Sequence, residues 1–205
     1  MMSSLFKRRY LALKRMLINQ RKLYKWLNAH RNFLYLVTKT GQGVQMSIHH
    51  PSPFVVQNLE RVLPGWDLPV LWVVIVLQQA RCQLVESNPE VEREKERLRE
   101  TFMRFGFEVA FTLRDRGFSS NLIDPRTGYP LLSRPGEIPH DDTAVVKALL
   151  GFPVIRNRCC VLEHPLWGKA VYPSTLLTCA PPEMIKPTLK RVGTQQGWQE
   201  LKLTR

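Results

Sequence analysis

The stretch "NRCCVLEHPLWG", residues 157–168, sets Cys159 beside Cys160, behind Arg156 and Arg158 and just before His164. Two thiols in this arrangement have few chemical uses. Joined to each other, they would close a small, strained ring. A tetrahedral zinc site takes its ligands as spaced pairs, which adjacent cysteines do not supply. In a strand, neighbouring side chains face opposite sides. One cysteine can then pack inward as a small hydrophobe while the other points out. Flanking arginines lower the pKa of an exposed thiol and make thiolate available. A thiolate is a soft ligand for soft or borderline metals. On the residues alone, a structural pair is favoured over an exposed thiolate.

Other candidates reduce to local structure. "TGQGV" (40–44) lacks the third glycine and the preceding strand of a phosphate-cradling loop, and reads as a turn. His49 and His50 are adjacent, so in a strand they cannot both serve one metal. Asp141 and Asp142 suit the N-cap and first turn of a helix. Asp124, before Pro125, suits the start of a turn, where its carboxylate caps backbone N–H groups. No nucleophile elbow and no HExxH motif occur.

The elements that must position these residues follow from periodicity. A strand is expected near 44–49 and a short helix near 53–62, with Ser52 as N-cap and Pro53 first in the helix. "VLWVVIVLQQ" (70–79) is apolar on both faces and predicts a central strand. A long helix follows, with Leu98, Phe102, Phe105, Val109 and Leu113 on one buried stripe and Glu100–Arg104 as an i,i+4 pair. Gly117 is expected to stop it at C′. Residues 124–140 read as loop, "DDTAVVKALLGF" as a short helix, 158–163 and 168–178 as strands, and the remainder as a polar tail. The expected fold is a single α+β domain, residues 44–205, with a mixed or antiparallel sheet flanked by helices.

The net charge of +13 invites a nucleic-acid reading until it is located. Residues 1–45 hold ten of the 30 Lys and Arg and none of the 17 Asp and Glu, so the rest of the chain carries only +3. The basicity belongs to an N-terminal extension, residues 1–43, and nucleic acid is not an expected partner of the body. "SLFKRRYLALKRMLINQRKLYKWLNAHRNFLYLV" (4–37) reads as an amphipathic helix. It suits an organellar targeting segment or a helix on an anionic membrane surface. The third reading is a start codon placed upstream of a true beginning near Met46. No apolar run reaches the roughly 20 residues of a bilayer span. Four cysteines in 205 residues read as reduced intracellular thiols. The expected location is the cytoplasm, or a mitochondrion or plastid if residues 1–45 are a targeting segment.

From the long helix onward, three stretches occur in order: "VEREKERLRETF", "AFTLRDRGFSSNLIDPRTGYPLL" and "LGFPVIRNRCCVLEHPLWGKAVY". This run resembles the family of the methylmalonic aciduria and homocystinuria type D protein, CblD, over roughly 46–190. The likeness rests on Leu113, Arg114, Gly117, Phe118, Ile123, Asp124, Pro125, Gly128, Leu150, Gly151, Phe152, Cys159, Cys160, His164, Leu166, Trp167 and Gly168. The resemblance implies an α+β fold of nitroreductase-like type without flavin or catalysis. It implies docking on a cobalamin-loaded, CblC-type partner and a role in directing cobalamin toward an acceptor enzyme. It further implies that one cysteine of the pair ligates cobalt through sulfur. Cys159 is assigned that role and Cys160 is expected to turn inward. Arg156, Arg158, His164, Trp167, Gly168 and Asp124 are supporting residues. The rivals are a flavin-dependent nitroreductase-like redox enzyme, and a membrane-surface or nucleic-acid protein acting through the basic helix.

Overall fold

The computed structural model describes residues 33–201 except Asp67, Leu71 and 157–159. The helix expected over residues 4–37 lies outside the described residues up to residue 32, as do Arg158 and Cys159. Six strands form one antiparallel sheet: β1 (Phe33–Val37), β2 (Gly43–His49), β3 (Trp72–Gln79), β4 (Ser120–Leu122), β7 (Val171–Thr178) and β8 (Gln199–Glu200). Their order is β4-β7-β3-β2-β1-β8. A separate hairpin joins β5 (Val154–Arg156) to β6 (Cys160–Leu162). The helices among the described residues are α1 (Pro53–Gln57), α2 (Leu59–Val62), α3 (Pro89–Arg114), α4 (Asp142–Leu150) and α5 (Pro182–Gln195).

Both faces of the sheet are covered. On one face α3 and α5 bury Phe102, Phe105, Val109, Ile185 and Leu189 against Met46, Val74, Val76 and Leu176. On the other, Val145, Val146, Phe152 and Leu162 lie against Val73, Ile75, Leu77 and Leu177. This is why β3 reads as a continuous apolar run. It pairs with β2 on one side and with all of β7 on the other. Alternate residues therefore enter two different cores. The α3 stripe packs as its spacing predicts, with Phe102, Phe105 and Val109 fully buried. At Gly106 the helix comes so near β4 that a Cβ would lie 2.9 Å from Leu122 Cδ1.

Several expectations need correction. Residues 33–37, assigned to the end of the N-terminal helix, are strand β1, paired with β2 from Phe33↔Ser47 to Val37↔Gly43. The sheet thus begins eleven residues before the expected boundary at 44, and residues 38–42 of "TKTGQGV" are the tight turn between β1 and β2, with Gly41 at φ +84°. Leu34, Leu36 and Val44 are core residues, so chain upstream of Met46 belongs to the folded unit. The expected polar tail holds α5, whose Ile185, Leu189 and Val192 are buried. It also holds Trp198, whose ring stacks on Phe105 at 4.9 Å, and β8. The ion pairs on α3 run at i,i+3, as in Arg97–Glu94 and Lys95–Glu92. Gly117, at φ +85°, lies two residues beyond the C-cap Asp115. Ser52 caps α1 as expected, accepting from Val55 N at 3.4 Å.

Candidate functional site: an exposed cysteine on an anchored hairpin

The hairpin is delivered by α4. Asp141 caps this helix, accepting from Ala144 N at 3.0 Å, and Gly151 ends it in the left-handed conformation at φ +69°. Glycine takes that conformation without a Cβ penalty. Phe152 then enters the core, and β5 pairs with β6 in the register Val154↔Leu162, Ile155↔Val161, Arg156↔Cys160. Val161 and Leu162 are buried and fix the base of β6. Cys160, at its first position, is exposed. The expectation that Cys160 turns inward is therefore corrected. Two buried residues follow it, so the hairpin does not keep the strict alternation on which that expectation rested. Arg156 stands opposite Cys160 as the last residue of β5. Cys159 belongs to the three-residue connection between them.

Behind β6 the chain closes into a turn at His164–Gly168. His164 N donates to Gly168 O at 2.7 Å, and Gly168 N donates back to His164 O at 2.8 Å. Gly168 takes φ +56°. The imidazole organises the turn. Its Nδ1 accepts from Leu166 N at 3.1 Å and Trp167 N at 3.2 Å. Nδ1 must therefore be unprotonated, and Nε2 carries the hydrogen that it donates to Gln45 Oε1 at 2.8 Å. Trp167 stacks on the ring at 4.0 Å, and Phe152 meets it edge-on at 5.3 Å. Burial pushes the imidazole pKa down to about 3. A proton on Nδ1 would also face two N–H donors.

The hairpin is thus tied to β2 of the main sheet through Gln45. Sequence inspection missed Gln45, which lies 119 residues from His164. It missed Tyr35 and Gly43 as well. Tyr35 packs beside Trp167 at 5.9 Å, and a Cβ on Gly43 would come within 2.5 Å of Trp167 Cζ2. The only available signal was a polar residue at a core position of β2.

Asp124 lies in a different network. It is buried and receives Arg99 Nε at 2.6 Å and Nη2 at 3.0 Å, a two-pronged ion pair. It also accepts from Arg126 N and the Thr127 hydroxyl, each at 3.1 Å, which is the turn-capping role its sequence position predicts. Burial raises the carboxyl pKa, but Arg99, the Arg126 N–H and Thr127 outweigh it and hold the group below its ordinary range. This network shares no residue with the His164 turn. A cleft of about 750 Å³ beside it, floored by Arg99 and Tyr172, includes no hairpin residue. His49 is the last residue of β2 and His50 follows it. His49 bonds the Ser47 hydroxyl at 2.8 Å, and His50 lies 4.2 Å from the Trp72 ring.

Among the described residues no group of three or more His, Cys, Asp or Glu is placed to hold a metal. Cys160 is a single accessible sulfur donor, chemistry suited to a metal whose other ligands come from a cofactor or another protein. Among the described residues, no helix is long and apolar enough to cross a membrane.

An antiparallel α+β domain that projects a cysteine hairpin from one face of its sheet is the class defined by this geometry. The family described as "Methylmalonic aciduria and homocystinuria type D protein" matches residues 19–190, and the chain belongs to that family. The cobalamin trafficking protein CblD of Homo sapiens is 28% identical over 141 residues, which is 68% of this chain and 48% of the relative. The CblD proteins of Rattus norvegicus (28%) and Gallus gallus (27%) each align over 138 residues, 67% of this chain and 47% and 46% of theirs. The chain spans about half the length of the curated relatives it matches.

Proposed function

We propose that the protein is a non-enzymatic cobalamin-trafficking adapter. It docks on a cobalamin-loaded partner of the CblC type and presents a thiolate of the Cys159–Cys160 pair to the cobalt. The observation that carries this reading is a cysteine-bearing hairpin, with Cys160 exposed, on a base fixed by Val161, Leu162 and the His164 turn. The family and its cobalamin-trafficking relatives supply the cargo class. A base fixed in advance by buried residues lowers the ordering cost of presenting a sulfur to a metal held elsewhere. Cobalt is cargo here, and its remaining ligands belong to the cofactor and the partner.

Cys159 retains the ligand role that the resemblance gives it, with Cys160 as the second candidate. Arg156 and Arg158, beside the pair in sequence, remain supporting residues. His164, Trp167, Gly168 and Gln45 hold the base. Asp124 supports the body of the domain through α3. Cobalamin then passes to a cobalamin-dependent acceptor enzyme. No flavin takes part, so the purified protein is expected to be colourless. Mixing it with the cobalamin-loaded partner and following corrin absorbance by gel filtration should give one peak containing both proteins and the cofactor. Separate elution of the two proteins at micromolar concentration would contradict docking.

A further inference from the structure

A second polar group lies apart from the hairpin and its anchor. It comprises His140 at the end of the loop before α4, Asp142 at the first position of α4 and Thr175 in the middle of β7. Their exposures are 4%, 8% and 0%, so all three are buried. His140 Nε2 lies 3.7 Å from Asp142 Oδ1, beyond direct hydrogen-bonding distance. The Thr175 hydroxyl neighbours the same carboxyl. His140 Nε2 and Asp142 Oδ1 have no partner within hydrogen-bonding distance among the described residues, and the Thr175 hydroxyl has none there besides its approach to the Asp142 carboxyl, where it favours the ionised form. Buried polar atoms in folded proteins are rarely left so.

The backbone limits the obvious remedy. His140 N donates to Gly128 O at 2.8 Å, and Gly128, at φ +74°, sits so close that a Cβ there would lie 2.5 Å from His140 O. Asp142 is fixed by the helix it begins. The backbone on either side of the gap is therefore fixed, which holds His140 and Asp142 at this separation unless the imidazole itself turns.

We propose that His140 Nε2, Asp142 Oδ1 and Thr175 Oγ1 together bind one internal water molecule. Three partners from three elements are what a buried water typically takes. The charge states suit water better than a cation. Burial raises the Asp142 carboxyl to about 8 and lowers the His140 imidazole to about 4, so both are uncharged at neutral pH. An acid, an imidazole and a hydroxyl can each give or take a hydrogen bond, matching a molecule that does both. The water joins the loop, the start of α4 and the central sheet. It sits at the opposite end of α4 from the hairpin.

The test uses the isotope-labelled full chain in water-selective NMR. Cross-peaks from a long-lived water to the Thr175 methyl and the His140 ring are expected in the wild type, with loss of the His140 cross-peak in Thr175→Val. The melting temperature is a second readout. With a bound water, Thr175→Val removes one of its partners and Tm falls. In a dry site Thr175→Val removes only the hydroxyl's contact with the Asp142 carboxyl, and no water cross-peak is present in either protein. No water cross-peak in the folded wild type, or a Thr175→Val variant with a higher Tm, overturns the proposal.

Discussion

Asp124→Ala is expected to lower the free energy of unfolding by about 3–5 kcal/mol, the usual effect of stranding one member of a buried ion pair. The Asp124 side chain is 5% exposed and that of Arg99 19%, so water from the adjoining cleft replaces only part of the lost partner and the loss falls toward the lower end of this range. Arg99 would keep Glu96, bonded at 2.8 Å, but that contact is at the rim, where Glu96 is 40% exposed. The variant also uncaps the Arg126 N–H and frees Thr127, loosening the turn that Gly128 packs against His140. Urea denaturation followed by circular dichroism measures the loss. Asp124→Asn keeps an acceptor for the turn but gives up the charge, and should lose less. A loss below about 1 kcal/mol for Asp124→Ala would place the pair among surface ion pairs instead.

Stability should peak near pH 6.5 and fall on both sides. Below that pH the unfolded chain takes up protons on His140 and His164, whose ordinary imidazole pKa is near 6.5. The folded chain refuses them until about 4 and about 3, because burial disfavours the charged rings. Stability from these groups is present above pH 6.5 and is lost progressively as pH falls through those values. Asp142 acts in the opposite sense. Its folded carboxyl keeps a proton up to about 8, whereas the unfolded one releases it near 3.8. Its contribution is present below pH 3.8 and is lost as pH rises toward 8. Between about pH 4 and 6 His140 and His164 outnumber the one carboxyl by one proton, a slope of about 1.4 kcal/mol per pH unit, and His49, whose pKa burial also lowers, steepens it further. Between about 6.5 and 8 the carboxyl acts alone and the slope reverses. Denaturant midpoints measured from pH 4 to 8.5 trace this curve. Asp142→Asn should flatten the alkaline limb, and a wild-type curve that rises steadily from pH 6.5 to 8 would contradict the burial of a neutral Asp142.

The parts of the fold that were legible in the sequence are those whose signal is local. The stripe from Leu98 to Leu113, the double-sided apolar run of β3, the Ser52 and Asp141 caps and the Asp124 turn each depend on neighbours within one or two turns of chain. What sequence inspection missed is long-range or masked by competing patterns. "FLYLV" follows a basic amphipathic stretch and continues its apolar pattern, yet it is strand β1 because β2 is available to pair with it. In α5, Pro182 and Pro187 obscure a buried stripe with correct helical spacing. At the candidate site, the resemblance drew attention to His164 but not to its partner Gln45. That contact exists only once β2 and the 164–168 turn are brought together. The orientation of Cys160 could not be read from alternation, because in the short hairpin strand β6 both Val161 and Leu162 are buried.

The most direct test of the account is electron paramagnetic resonance and absorbance of cob(II)alamin, held by a CblC-type partner, as this protein is added in air. Wild type should be run beside Cys159→Ala, Cys160→Ala and the double variant. The account predicts a thiolate–cobalt signature in wild type, its retention in Cys160→Ala, and its loss in Cys159→Ala and in the double variant. Loss in Cys160→Ala alone would move the ligand to the exposed residue at the start of β6. A stable ternary complex with no thiolate signature in wild type, or a signature that survives the double variant, would contradict cysteine ligation of the cobalt.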